Sequence, residues 1–496
     1  MNLFGQVVST GNGIFLLLAL GLALSFEFVN GFHDTANAVA TVIYTHSLKP
    51  WFAVIWSGCW NLIGVLASSG AVAFGVVALL PVELVLNVGS GAGFAMVFAL
   101  LVSAIIWNLG TWYLGLPASS SHTLVGAILG VGMANSWLSG NHTFGEGLNW
   151  AKANEVGASL LISPIVGFVL AGLLLLLCKV LIRDPALYAA PDTPKPPPPW
   201  VRGLLILTCT GVSFAHGSND GQKGMGLLML ILVGVLPMTF AVNLGIDRSA
   251  ITELSATTQT ISVQMQRHAP DVTLEDPRKA GSELSAYLKT TGVVTPRTFA
   301  AASVKCREVS DMLRGKESLT ELDATERRTL RSDLYLTSET LAKLLKQDTI
   351  TDLAEQKAAF ALKSSMDRVT KFIPAWVKMA VALALGLGTM IGWKRIVVTV
   401  GEKIGKEHLT YAQGASAELV AMGTILAADQ MGLPVSTTHV LSSGVAGTMA
   451  ANRSGLQMDT LRNLLLAWVL TVPVCVLLGA GVFAFGLNVL LRIGIK

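Results

Sequence analysis

Charge is what this chain has least of. Of 496 residues only 13% are Asp, Glu, Lys or Arg, against 52% hydrophobic, whereas a soluble domain carries roughly 25% charged residues. Lys49 is the first basic residue, and no further Lys or Arg occurs until Lys152. That scarcity excludes a water-exposed surface over most of the chain. Cysteine is sparse too. Cys59, Cys178, Cys209, Cys306 and Cys475 show no paired spacing, and four of them lie in apolar stretches, which argues against a disulfide framework or a zinc site. The N-terminus lacks the basic region and small-residue cleavage site of a secretory signal, so its first apolar run is expected to stay as a helix. A net charge of +4 without a basic stripe gives no case for a nucleic-acid partner, and no motif asks for a cofactor.

What is present is a series of long apolar runs. About 20 such residues suffice for a membrane-spanning helix, and candidates fall near 13–29, 51–80, 92–115, 123–138, 157–182, 203–216, 225–243, 373–393, 413–431, 438–450 and 462–491. The expected fold is therefore an all-α polytopic membrane protein of about 10–12 crossings, broken segments included. Two stretches interrupt it. Residues 191–202 open with Pro191-Asp192-Thr193-Pro194-Lys195-Pro196-Pro197-Pro198-Pro199, too proline-rich for helix and expected to be an extended linker. Residues 244–372 hold 19 of the 35 Lys and Arg and 18 of the 31 Asp and Glu. Within them, 299–318 and 324–346 mix Leu and Ala with both charge signs at helical spacing, which predicts amphipathic helices in a soluble insertion. The expected division is 1–190 as a first membrane repeat, 203–243 as the start of a second, and 373–496 as its remainder. Basic residues gather in 179–202, in the insertion and in 394–406, so these segments are expected on the cytoplasmic side.

The membrane part repeats itself. Asp34 sits in Asn30-Gly31-Phe32-His33-Asp34-Thr35-Ala36-Asn37, and Asp220 in His216-Gly217-Ser218-Asn219-Asp220-Gly221-Gln222-Lys223-Gly224. Pro117-Ala118-Ser119-Ser120-Ser121-His122 returns as Pro434-Val435-Ser436-Thr437-Thr438-His439. Asp34 and Pro117 are 83 positions apart, and with the 129 inserted residues set aside Asp220 and Pro434 are 85 apart. An internal duplication with paired helix breaks is what secondary transporters show.

The residue types point to an anion and a proton. An aspartate at the centre of a spanning helix costs about 2.5–3.5 kcal/mol, so two equivalent ones need a reason, although either could merely cap a helix fragment. The glycines around both are expected to break the helix and free backbone groups. In the second motif, proline at an early helix position followed by Ser and Thr places hydroxyls beside free N–H groups at the positive helix end, which binds a phosphate or sulfate readily. Neutral donors also release an anion more easily than an arginine fork. The plain alternative is interhelical hydrogen bonding by Ser and Thr. Glu27, His33, His122 and His439 are candidate proton carriers beside Asp34 and Asp220; each histidine could equally be a packing residue, and Glu27 a satisfied helix carboxylate.

At these residues the chain resembles the inorganic phosphate transporters of the PiT type, most closely the bacterial low-affinity Pit members. The resemblance is carried by Gly31-Phe32-His33-Asp34-Thr35-Ala36-Asn37-Ala38, Gly217-Ser218-Asn219-Asp220 and both Pro-x-Ser motifs. It implies a multi-pass symporter of the bacterial plasma (inner) membrane, built from inverted repeats with a large cytoplasmic loop. Carried over by position, it implies that Asp34, Asn37, Ser120, Ser121, Asn219, Asp220, Thr437 and Thr438 line the substrate and ion sites. The chain departs from the family pattern at His33, at Lys223 where the usual pattern has Asn, and at Asn61 where sodium-coupled relatives have Glu. These changes favour proton over sodium coupling, and Lys223 could alternatively touch phosphate. The resemblance also implies that Mg, Ca or Zn could travel with phosphate as a neutral complex. A homodimer is left open. A sulfate permease of the same fold is the near rival, modestly disfavoured because sulfate has no proton for an aspartate to accept. An intramembrane Ser/His/Asp hydrolase would need one site rather than a duplicated one, and a cation channel would need acidic rings.

Overall fold

The computed structural model describes residues 1–34, 36–81, 84–85, 88–138, 145, 148–191, 195–289 and 292–492, with the side chains of residues 36 and 37 outside that description. Apart from a two-stranded hairpin, Asn2–Leu3 with Gln6–Val7, and an isolated bridge, the regular structure among the described residues is helical. The first half runs through α1 (Thr10–Asp34), α2 (Ala36–Tyr44), α3 (Pro50–Ala67), α4 (Ala71–Val77), α5 (Gly91–Tyr113), α6 (Ser120–Leu138) and α7 (Trp150–Leu181). Then α8 (Pro199–Val235) begins the second half. After five helices of the polar segment, α9 (Arg248–Arg267), α10 (Pro277–Leu288), α11 (Pro296–Leu313), α12 (Ala324–Lys346) and α13 (Leu353–Thr370), the chain continues as α14 (Ala375–Ile391), α15 (Tyr411–Gln430), α16 (Thr437–Asn452) and α17 (Met458–Arg492).

Among the described residues five segments, Thr10–Tyr44, Pro50–Ala67, Gly91–Tyr113, Trp150–Leu181 and Met458–Arg492, are long and apolar enough to cross a membrane, and a sixth results if α13 and α14, bent by 72°, count as one. The sequence count of ten to twelve also took in α6, α8, α15 and α16. These helices carry the polar groups of the interior: Ser120 and His122, Asp220 and Lys223, Glu418, and Thr438 and His439. Their polarity follows from what they face. On α7 and α17 the outward side chains Leu161, Leu181, Leu477 and Phe485 are each at least 70% exposed, an apolar surface that water disfavours and lipid does not.

The two halves pack by one plan. α1 lies along α14 as α8 lies along α3, and α6 lies along α17 as α16 lies along α7. Glycine makes these crossings close, because lipid offers no hydrophobic push and helices associate through contact of small residues. A Cβ on Gly31 would collide with the Leu385 carbonyl oxygen, and one on Gly217 with that of Asn61; Gly130 and Gly447 stand likewise against the Val476 and Phe168 carbonyls. Gly31 and Gly217 are 186 positions apart, as are Asp34 and Asp220.

Helices α9 to α13 enclose an apolar core of their own, including Leu254, Ile261, Leu284, Leu330, Leu341 and Leu362. The helix expected over 324–346 is α12, and the one expected over 299–318 is α11, which starts at Pro296 and ends at Leu313. At the junction with the membrane part, Arg331 on α12 donates to the carbonyls of Ala241 and Thr370, at 2.8 and 2.9 Å. Both points where the chain passes between the two regions are thereby tied to one helix. Inside this core Lys305 pairs with Asp333 at 2.7 Å. Burial lifts the Asp333 carboxyl above the usual carboxylate range although Lys305 pulls the other way, and burial pushes the Cys306 thiol up to about 12.

Candidate functional site

The break expected at the first aspartate falls at Thr35, outside the described residues, between α1, which reaches Asp34, and α2, which starts at Ala36. The break expected at Asp220 is absent. α8 runs unbroken from Pro199 to Val235 through Asp220, and its glycines serve contact instead, Gly217 against Asn61, Gly221 against Val65 and Gly224 against Glu27. The prolines of the second motif also stand elsewhere than expected. Pro117 and Pro434 precede the helices, which begin at Ser120 and Thr437. Their carbonyls accept from Trp468 Nε1 at 2.9 Å and from Ser159 Oγ at 3.3 Å. The N-caps are Ser119 and Ser436, whose hydroxyls accept from the backbone N–H of His122 and His439 at 3.2 and 3.1 Å. This is ordinary helix capping, repeated in both halves.

Six helices, α1, α3, α5, α6, α8 and α16, bring one polar cluster together. Asp34 accepts from Ser120 Oγ at its Oδ2 and from Thr438 Oγ1 at its Oδ1, both at 2.7 Å. Its Oδ1 is also 3.2 Å from His33 Nδ1, and His33 Nε2 is 3.1 Å from Thr111 Oγ1. Ser120 Oγ lies 3.3 Å from Asp220 Oδ2, so one hydroxyl bridges the two aspartates. Asp220 Oδ2 is 2.8 Å from Lys223 Nζ and 3.5 Å from His216 Nε2, and His216 Nδ1 is 2.7 Å from Asn61 Oδ1. Asp34, Ser120, Asp220, Lys223 and His216 are all at most 3% exposed. Buried charges persist only when paired and hydrogen-bonded. With the imidazoles neutral, the two carboxylates and one ammonium leave the cluster at a net charge of −1.

The remaining sequence candidates divide. Thr437 Oγ1, His122 Nδ1, His439 Nε2 and Asp220 Oδ1 are buried and have no hydrogen-bond partner among the described residues. Both histidines stand on the first turns of the two capped helices, with ring centroids 4.5 Å apart, and Trp468 stacks on His439 at 4.1 Å. By contrast Ser121 Oγ donates to the Val435 carbonyl at 2.7 Å. Asn219 Nδ2 donates to the Leu433 carbonyl at 3.1 Å and its Oδ1 accepts from Val435 N at 3.4 Å. Ser121 and Asn219 thus hold the segment ahead of α16. Glu27 is fully buried against Gly224, with Asn30 Nδ2 at 3.5 Å from its Oε2. The side chain of Asn37 lies outside the described residues.

His216 is a site residue beyond the candidates drawn from the sequence, and Lys223, weighed there only as a contact to phosphate, pairs with Asp220. On an unbroken α8 they flank Asp220 at spacings of four and three, on one helix face. Expecting a break there hid that geometry. Ligand atoms of Asp34, His216 and Asp220 lie within 4.8 Å of one another, a spacing that suits a cation. The Lys223 ammonium already stands at Asp220 Oδ2 and opposes a metal ion there.

Residues 30–479 match the family described as "Phosphate transporter family". The chain is 43% identical over 493 residues to "Low-affinity inorganic phosphate transporter PitA" of Escherichia coli (strain K12), covering 96% of this chain and 98% of that protein. It is 43% identical over 508 residues to the PitB protein of the same strain, covering 99% and 100%. To the "Probable low-affinity inorganic phosphate transporter" of Bacillus subtilis (strain 168) it is 28% identical over 468 residues, covering 94% and 96%. A solved structure, "The sodium-dependent phosphate transporter", matches with a TM-score of 0.50 at 19% identity over 95% of this chain and 98% of that one, a likeness of fold.

Proposed function

The chain belongs to the phosphate transporter family, and on that premise we propose that it takes up inorganic phosphate by proton symport at the cluster between Asp34 and Asp220. It is a transporter and not an enzyme. The observation that carries the proposal is the pair of buried aspartates joined by Ser120 and faced by two capped helix starts with unpartnered donors. Thr437 Oγ1 supplies a donor hydroxyl, His122 and His439 supply ring nitrogens, and the helix N-termini favour an anion. Asp220 Oδ1, buried without a partner, is an acceptor for a protonated phosphate oxygen. Sulfate would leave it unsatisfied, at a cost of about 1–3 kcal/mol.

Charge dictates the coupling. Adding a dianion to a cluster of net charge −1 costs about 4 kcal/mol per charge pair at 4 Å and an effective dielectric constant of 20. Protons on Asp34 or Asp220 remove that repulsion, and they are the coupling ions of this proposal. Hydrogen phosphate arriving as a neutral complex with a divalent metal reduces it in the same way, and that substrate form belongs to the proposal too. The two halves rock about the site to expose it to either side, with the polar segment 244–372 in the bacterial cytoplasm because basic residues stay inside.

The test is radiolabelled phosphate uptake into proteoliposomes, with a proton gradient and a sodium gradient imposed separately and with Mg present or chelated. Uptake driven by the proton gradient alone is expected. Sulfate accumulation without phosphate uptake under either gradient would sink the proposal.

A further inference from the structure

Among the described residues Lys223 is the one ammonium in the polar cluster, and its surroundings are those of a bound cation. Its side chain is fully buried, with Nζ 2.8 Å from Asp220 Oδ2 and 3.4 Å from Ser120 Oγ. The carboxylates of Asp34 and Asp220 and the His216 ring place three cation-suited atoms within 4.8 Å of one another beside it. A metal ion at Asp220 Oδ2 would face a like charge at short range, so the ammonium and a metal exclude one another. The internal repeat supplies a contrast. With Asp34 matched to Asp220, the position matched to Lys223 is Asn37, which carries no charge. One half of the site therefore brings its own cation and the other does not.

We propose that Lys223 is a tethered cation that stands where a monovalent metal ion would otherwise balance Asp220 and the incoming anion, and that it makes phosphate transport independent of sodium. This rests on the reading of the cluster as the phosphate site. The four-carbon stem lets the ammonium turn from Asp220 toward the anion near Ser120 as substrate arrives, and turn back on release. No sodium ion has to be bound or shed in the cycle. The residue sets cation specificity and leaves proton acceptance to the aspartates.

The experiment uses the full chain in proteoliposomes, with phosphate uptake under a fixed proton gradient measured in choline, sodium, lithium and potassium media. Wild-type uptake is expected to be the same in all four. Lys223→Asn should lose about 100-fold in choline, the scale of truncating one member of a buried charge pair, and recover about tenfold or more in sodium or lithium. Lys223→Arg, which keeps the charge, should stay indifferent to the medium at a lower rate. Wild-type uptake stimulated by sodium overturns the proposal, as does sodium dependence in Lys223→Arg. Full activity of Lys223→Asn in choline also overturns it, and so does inactivity in every medium of a Lys223→Asn protein that is monodisperse with wild-type melting. If Lys223→Asn does not fold, the wild-type and arginine arms still decide. Failure of the site reading itself would show differently, as normal transport by Asp34→Asn in every medium.

Discussion

Asp34 and Asp220 occupy matching places 186 residues apart, yet they are held by unlike means. Asp34 is gripped by neutral hydroxyls from both halves, Ser120 and Thr438, with His33 alongside. Asp220 sits within an unbroken helix and is paired with an ammonium from its own next turn. Hydroxyls can turn to a new acceptor at little cost, whereas a buried ammonium must keep a counter-charge. Duplication thus supplied two equivalent acids, and divergence gave one an adaptable set of donors and the other a fixed charge. On the proposed reading both accept protons, the first among neutral hydroxyls and the second beside the ammonium that sets the charge balance of the site.

The contrast can be attacked at several points. The largest effect is expected on transport: Asp34→Asn and Asp220→Asn should each lower proton-driven phosphate uptake by about 100-fold or more, measured in proteoliposomes at matched protein content. Equal loss would place both acids in one site, and loss in only one of them would divide the pair. Stability should separate them. Asp220→Asn strands the Lys223 charge and is expected to cost about 3–5 kcal/mol, while Asp220→Asn with Lys223→Met recovers most of that. Asp34→Asn should cost about 1–3 kcal/mol. Thermal melting in detergent ranks the three proteins, and a greater loss in Asp34→Asn would reverse the assignment.

The scaffold beneath the two acids should behave alike where the acids differ. Gly31→Ala and Gly217→Ala each force a methyl group into a facing carbonyl and should cost similar amounts, about 1–3 kcal/mol. Gly21→Ala, with nothing near it, should change stability by no more than about 1 kcal/mol. Unequal melting shifts at the two crossings would show that the halves are not mechanically matched. The smallest effect is expected at Ser121. Its hydroxyl is committed to the Val435 carbonyl, so Ser121→Ala should cost about 1 kcal/mol and slow uptake less than Ser120→Ala does. A Ser121→Ala protein that is the more impaired in transport would return that hydroxyl to the substrate.

Much of this was legible in the chain before any coordinates. Scarce charge and long apolar runs indicated a helical membrane protein, and the repeated motifs indicated which polar residues meet. Ser120, Thr438, Asp34 and Asp220 do converge. What stayed hidden was how each polar group is partnered. Ser120 and Ser121 are adjacent and alike in sequence, but successive helical residues point about 100° apart, and only one reaches the aspartates. Glycines near Asp220 read as helix breakers, whereas in an apolar solvent they allow close crossing. That misreading concealed His216 and the pairing of Lys223 with Asp220, whose places depend on an intact helix. Polar helices such as α8 and α16 also blurred the count of spans, because their composition records the site they line rather than the lipid around them.

Phosphate counterflow tests the central claim most directly, because exchange of labelled for unlabelled phosphate across proteoliposomes without any gradient reports on the site and not on its driving force. Wild-type protein should exchange phosphate, and the Asp34→Asn and Asp220→Asn proteins, folded as judged by a single symmetrical elution peak, should each lose that exchange. Counterflow at the wild-type rate in both variants would contradict the placement of phosphate between the two aspartates.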